Sequence, residues 1–131
     1  MTIRKIRMMR AILPVFCAVS IFFLSTKKIS APDIFSYSDK LYHAATYFIF
    51  AIAIMWGFQP KKGASWDRVV KASAVIAFLY GLSMEIVQHF ISYRNASIAD
   101  AVANGIGAAA AIPVAFFLEK LKKKGRSSDE G

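Results

Sequence analysis

Four long apolar segments constrain the fold of this chain more than any other feature. They cover about residues 11–25, 41–58, 69–90 and 98–118, and short charged or polar stretches separate them. An α-helix needs about 20 apolar residues to cross a hydrocarbon core roughly 30 Å thick, and it satisfies its own backbone hydrogen bonds there. The sequence therefore predicts an all-α membrane protein with four transmembrane helices in an antiparallel bundle. The fourth segment is rich in Gly and Ala, which let membrane helices approach closely, so it is predicted to be the central helix.

Composition excludes several other classes of protein. The chain has 131 residues, enough for one domain, and 56% of them are hydrophobic. The net charge of +9 comes from basic residues that flank the apolar segments. Lipid headgroups and membrane topology account for such flanking charges, so we predict a lipid bilayer and no nucleic acid as partner. The single cysteine, Cys17, lies inside the first segment and can form no intrachain disulfide.

The distribution of basic residues predicts the orientation of the bundle. If the four segments cross the membrane in turn, thirteen of the seventeen Lys and Arg residues fall on the side that holds both termini. The other side receives only Lys27, Lys28, Lys40 and Arg94. Cytoplasmic loops carry the excess of Lys and Arg, so both termini are predicted in the cytoplasm.

The two termini have different predicted roles in this topology. Residues 1–10 form a basic N-terminus before the first apolar segment, an arrangement shared by signal peptides. No small-residue cleavage site follows cleanly, so we predict an uncleaved anchor helix. Residues 119–131 are predicted to be a basic cytoplasmic tail, partly disordered.

Polar residues gather where three of the segments reach the predicted outer face. Each set follows helical spacing, so its members share one face of a helix. A charge at the bilayer centre costs roughly 2.5–3.5 kcal/mol on insertion scales, so such residues need partners. We therefore expect them to meet in one polar site in the outer leaflet. The sets are Asp39, His43 and Tyr47 in the second segment, Glu85, Gln88 and His89 in the third, and Asp100 and Asn104 in the fourth, with Arg94 in the turn between the last two.

The order and spacing of these residues resemble the VanZ-like family, small bacterial membrane proteins named for an accessory factor in teicoplanin resistance. The pattern consists of Asp39-Lys40-x-x-His43, Glu85-x-x-Gln88, Arg94, Asp100 and Asn104-Gly105-x-Gly107. The resemblance covers about residues 38–118 and implies a multi-pass protein of the bacterial cytoplasmic membrane, with no particular reaction. It marks eight candidate ligand-binding residues, which are Asp39, Lys40, His43, Glu85, Gln88, Arg94, Asp100 and Asn104. Tyr47 and His89 are candidates on geometry alone.

The first functional hypothesis is a site for an envelope lipid or a glycopeptide-like amphiphile. Lys40 and Arg94 would bind an anionic headgroup, and Gln88 and Asn104 would orient it by hydrogen bonds. Apolar walls from the third and fourth segments would hold a hydrocarbon tail. Such a site would affect resistance to envelope-active antibiotics.

A membrane enzyme is the second functional hypothesis. His43 with Glu85 or Asp100 would act as a general acid–base pair on a lipid-linked substrate. A metal held by His43, Glu85, His89 and Asp100 would be a variant of this. The chain has no H-E-x-x-H motif, however, and we predict no metal and no cofactor.

Two further hypotheses stay open at the level of sequence. One is a small transporter. The other is a purely structural polar cluster, in which Asp100 would cap the fourth helix and Asn104 would form a hydrogen bond across the bundle. The ligand, the choice between binding and catalysis, and the oligomeric state are left undetermined.

Overall fold

The described part of the chain is entirely helical between its connections. The computed structural model describes residues 2–27, 36–60, 65–91 and 95–131, and no β-strand occurs among them. Its helices are α1 (Ile3–Thr26), α2 (Ser38–Gly57), α3 (Trp66–His89) and α4 (Ile98–Asp129). The prediction of an all-α fold with four helices is confirmed.

Three of the helices, α1, α3 and α4, are long and apolar enough to cross a membrane by length and composition. Large apolar side chains such as Phe16, Leu79 and Phe117 point away from the bundle and are more than half exposed. Exposed apolar surface of this extent is typical of contact with lipid. The crossing by α2 stays a prediction, because its first turns carry Asp39, Lys40 and His43 and lower its apolar content.

α2 is the helix that packs most extensively against the others. The Gly and Ala content of the fourth segment predicts that α4 is the central helix, and the structure corrects this prediction because α2 has that position. The small residues of α4 instead allow it to approach α2 closely. A Cβ atom on Gly107 would collide with the backbone carbonyl group of Ala44, so only glycine fits at this crossing.

An aromatic contact holds α3 to α2, and two side-chain hydrogen bonds hold α1 to α3. The rings of Phe50 and Tyr80 meet edge to face with centroids 5.2 Å apart. The Tyr80 hydroxyl donates to the carbonyl of Ala18 at 2.6 Å. Gln88 donates through its amide nitrogen to the carbonyl of Ser25 at 3.2 Å. Both acceptors are backbone atoms of α1.

The helices extend beyond the predicted spans at the two termini. α1 begins at Ile3, inside the basic N-terminus, and α4 continues through the basic stretch to Asp129 instead of ending near residue 118. The two ends of the bundle differ in their side chains. We call one the polar end, which is formed by the start of α2, the end of α3 and the start of α4. The other is the basic end, which is formed by the start of α1, the end of α2, the start of α3 and the end of α4.

Candidate ligand site at the polar end of the bundle

Glu85 is a buried carboxylate in the last turns of α3, with only 6% of its surface exposed. Its Oε2 accepts a hydrogen bond from the backbone N–H of Ser97 at 3.2 Å. Ser97 stands at the N-cap position of α4, where the helix cannot satisfy its first N–H groups. A buried carboxylate needs donors, and the start of α4 supplies one. Glu85 thus fixes the end of α3 against the beginning of α4.

His43, in the second turn of α2, faces polar partners on both α3 and α4. Its Nδ1 is 2.9 Å from Oδ1 of Asn104, which is completely buried. An amide oxygen can only accept a hydrogen bond, so Nδ1 is the donor. Nδ1 also lies 3.9 Å from Oε1 of Glu85, and Nε2 lies 3.7 Å from Oδ2 of Asp100. The imidazole is therefore oriented by Asn104 and leaves Nε2 directed towards a carboxylate.

Lys40 forms ion pairs with two aspartates of different exposure. Its Nζ lies 2.6 Å from Oδ1 of Asp100, in the first turn of α4, and also contacts the exposed carboxylate of Asp39. The hydrogen bonds to Asp100 and Asp39 raise the pKa of Lys40 above its ordinary value. The hydrogen bond from Lys40 in turn lowers the pKa of Asp39. Lys40 is therefore a cation, and its stronger attachment is to the less exposed partner, Asp100.

These contacts define a polar cluster drawn from three helices. The structure brings together five of the eight residues that the sequence marked, and Asp39 joins them through Lys40. Asp100 pairs with Lys40, and the backbone N–H of the N-cap residue Ser97 bonds to Glu85, so the capping role predicted for Asp100 in a structural cluster is not observed among the described residues. The cluster consists of Lys40, His43, Glu85, Asp100 and Asn104.

Four other candidates lie elsewhere or cannot be placed. Gln88 is buried and bonds to α1, where it joins two helices. Tyr47 is buried in the aromatic core, so packing accounts for it. His89 is exposed, and its ring contacts Phe90 with centroids 5.6 Å apart. Arg94 lies outside the described residues.

Three members of the cluster have the chemistry of metal ligands. His43, Glu85 and Asp100 each offer one ligand atom, and these atoms all lie within 4.8 Å of one another. Imidazole and carboxylate groups suit a divalent cation. The Lys40 ammonium already neutralises the negative charge of Asp100, so this carboxylate has a positive partner within the protein.

An apolar groove adjoins the cluster, and sequence reasoning missed it. It is an open depression of about 330 Å³ between α2 and α4. Ala44 and Ala103 leave this space because their side chains are small, and they follow Lys40 and Asp100 at helical spacing of four and three residues. This helical spacing of small residues beside polar ones could have indicated the groove from the sequence. The lining residues are Tyr37, Lys40, Leu41, Ala44, Ala103 and Ile106.

Comparisons with known proteins give one positive result. The family model described as VanZ/LLP1 matches residues 7–119, a range that contains the whole polar cluster and the residues lining the groove. Neither the curated proteins nor the solved structures include a significant match.

Proposed function

Because the chain belongs to the VanZ/LLP1 family, we propose that its polar cluster binds the head of an envelope lipid or of a related amphiphile such as a glycopeptide. The observation that carries this proposal is the position of Lys40. Its ammonium pairs with Asp100 inside the cluster, and the same residue lines the apolar groove. One ligand could therefore contact a cation with its head and the groove with its tail.

The groups around Lys40 suit an amphiphile. Lys40 would attract an anionic head, and His43 and Asn104 would orient it through hydrogen bonds. The hydrocarbon tail would lie along Leu41, Ala44 and Ile106, which line the groove. Apolar walls with few polar groups are characteristic of small-molecule sites.

The distribution of basic residues supports an outward-facing site. Thirteen of the seventeen Lys and Arg residues fall on the predicted cytoplasmic side, so the polar end would lie in the outer leaflet of a bacterial cytoplasmic membrane. Envelope lipids and glycopeptide antibiotics meet the membrane at that face. Binding there would change the sensitivity of the cell to antibiotics that act on the envelope.

Ligand binding can be measured with two probes and a matched pair of lysine variants. The purified protein is offered a polyprenyl phosphate and teicoplanin, and retained ligand is measured by native mass spectrometry. Lys40→Gln should weaken binding of the preferred probe about 10- to 100-fold, since hydrogen bonds to charged groups contribute roughly 1.5–3 kcal/mol. Lys120→Gln removes an exposed lysine at the basic end and should leave binding unchanged.

The same variants can be compared in cells. A bacterial host that expresses the wild-type chain should differ from one that expresses Lys40→Gln in its sensitivity to teicoplanin. Equal binding and equal sensitivity for folded Lys40→Gln and wild-type protein would contradict the proposal. The polar cluster would then serve only to hold the helices together.

A second candidate function is favoured by the orientation of His43. Nδ1 is occupied by Asn104, whereas Nε2 faces Oδ2 of Asp100 at 3.7 Å and is available for proton transfer. We propose as this second function that His43 accepts a proton from water as the water oxygen attacks the phosphorus of a lipid-linked phosphate. The bond from phosphorus to the lipid oxygen breaks, and the protonated imidazole returns the proton to that oxygen, so the products are the lipid alcohol and free phosphate. His43→Gln would then abolish phosphate release while retaining binding within about threefold. Absence of phosphate release from wild-type protein and a polyprenyl phosphate would exclude hydrolysis.

A further inference from the structure

A second cavity lies at the basic end, opposite the polar cluster. It encloses about 440 Å³ between the end of α2, the start of α3 and the last turns of α4. That volume lies within the range of about 300–1,000 Å³ that is common for small-molecule sites. Its walls are mainly apolar and include Ile52, Met55, Trp56, Trp66, Ala115 and Leu118.

Cations on one face of α4 form the rim of this cavity. Lys122, Lys123 and Arg126 line it together with Glu119. The four residues share a helix face, because they are spaced by three or four positions. Lys123 pairs with Glu119 at 3.0 Å, which leaves two uncompensated positive charges at the rim. Among the described residues, no carboxylate lies within ion-pair distance of Lys122 or Arg126.

Polar groups lie beside both tryptophans of the apolar wall. The Nε1–H of Trp66 is buried and has no hydrogen-bond partner among the described residues. A buried donor without a partner destabilises a protein, and an oxygen of a bound ligand would remove that cost. Near Trp56, the Arg10 guanidinium lies 5.8 Å from the ring centroid and donates to Oε1 of Gln59 at 2.8 Å.

We propose that this cavity is a binding site for an anionic phospholipid of the leaflet at the basic end. The phosphate would bind Lys122 and Arg126, and part of an acyl chain would contact Ile52, Met55 and Ala115. A free phosphate ion would use the cations and leave the apolar wall in water, whereas a neutral lipid would leave the two charges uncompensated. Charge and apolar surface together match a lipid with a negative head. The site is separate from the polar cluster and does not depend on its function.

The chain carries its own probe for this site, because its only two tryptophans both line the cavity. The full-length protein is reconstituted in phosphatidylcholine bilayers that contain phosphatidylglycerol. Bromine atoms, which quench tryptophan fluorescence on contact, are placed on the acyl chains of one lipid or of the other. At equal mole fraction, brominated phosphatidylglycerol should quench more strongly than brominated phosphatidylcholine. A Trp56→Phe variant should retain this preference, because Trp66 then reports alone.

A pair of charge variants tests the cations of the rim. Lys122→Gln with Arg126→Gln should weaken the preference for phosphatidylglycerol about 10- to 30-fold, since each basic residue near an anionic surface contributes on the order of a fivefold factor. Lys120→Gln with Lys124→Gln removes the same charge from the same helix outside the cavity and should keep the preference. Circular dichroism checks that both double variants are folded.

Three results would overturn the proposal. The first is equal quenching by the two brominated lipids in wild-type protein. The second is an equal loss of preference in the two double variants, which would show only a general attraction of the basic end to negative membranes. The third is restoration of fluorescence by millimolar glycerol phosphate, which would identify the ligand as a soluble phosphate.

Discussion

Lysines form ion pairs at both ends of the bundle, but in different surroundings. At the polar end, the side chains of Lys40 and its partner Asp100 are 32% and 12% exposed. At the basic end, the side chains of Lys123 and its partner Glu119 are 76% and 28% exposed. Exposed pairs contribute roughly 0–1 kcal/mol, whereas removing one partner of a buried pair costs several times more. Removing a charge at the polar end should therefore cost more stability than removing one at the basic end.

The largest effect should follow a change at the crossing that positions the polar end. Gly107→Ala adds a Cβ atom that collides with the Ala44 carbonyl group, so α2 and α4 must separate. We expect destabilisation of about 3 kcal/mol or more, at or above the usual range for overpacking. Gly125→Ala, in the basic part of the same helix, meets no atom within 4 Å and should stabilise slightly. Thermal unfolding in detergent, followed by circular dichroism, measures both, and equal stability of the two variants would contradict the comparison.

A pair of amide substitutions sharpens the comparison at the level of single hydrogen bonds. Asn104→Leu removes the buried acceptor of His43 and should cost about 1–3 kcal/mol, because a donor is left without its partner. Gln59→Leu removes the exposed acceptor of Arg10 at the basic end and should change stability by less than about 0.5 kcal/mol. The same unfolding assay applies. A cost for Gln59→Leu as large as that for Asn104→Leu would show that burial does not distinguish the two ends.

The two aspartates that share Lys40 provide an internal test at the polar end. Asp100→Asn weakens the less exposed pair and should cost about 1–2 kcal/mol. Asp39→Asn weakens the exposed contact and should have little effect on stability. If the two variants unfold at the same temperature, the distinction drawn from exposure is wrong.

The smallest expected effect is the dependence of stability on pH. The raised pKa of Lys40 means that its contribution is complete below about 10.4, the ordinary lysine value, and is lost only as pH rises through the higher folded value. The lowered pKa of Asp39 means that its contribution is present above about 3.9 and is lost as pH falls below that value. These two groups should therefore leave the unfolding temperature constant between about pH 5 and 9. A Lys40→Gln variant with a clearly different slope in this interval would refute the expectation.

The helices are largely predictable from the sequence, because each contains an apolar segment bounded by polar residues. The helical continuation of α4 beyond the predicted span is not predicted, since a run of lysines at a terminus suggests a tail, although lysine is a good helix former and the helix continues to Asp129. The central position of α2 is also missed, because small residues in α4 indicate close packing but not which partner they approach. That information depends on the rotation of each helix about its axis.

The candidate site was predictable where spacing fixed the face of a helix. His43, Asp100 and Asn104 belong to sets with helical spacing, and the structure places them in contact, whereas Lys40 is marked by the resemblance to the VanZ-like family. His89 follows the same rule beside Glu85 yet is exposed, because helical spacing cannot define the edge of the buried face. The two cavities were not predictable, since each is a space left between side chains of different helices.

The attachment of α1 has an evolutionary consequence. Tyr80 and Gln88 hold this helix through the carbonyl oxygens of Ala18 and Ser25, and every amino acid supplies that acceptor. Substitutions at positions 18 and 25 would preserve the two bonds as long as the helix keeps its path. These two bonds thus place no requirement on the side chains at positions 18 and 25, whereas they do require the donors Tyr80 and Gln88 on α3. Elsewhere on the first helix, Pro14 and Ile21 are buried, so docking there depends on their side chains.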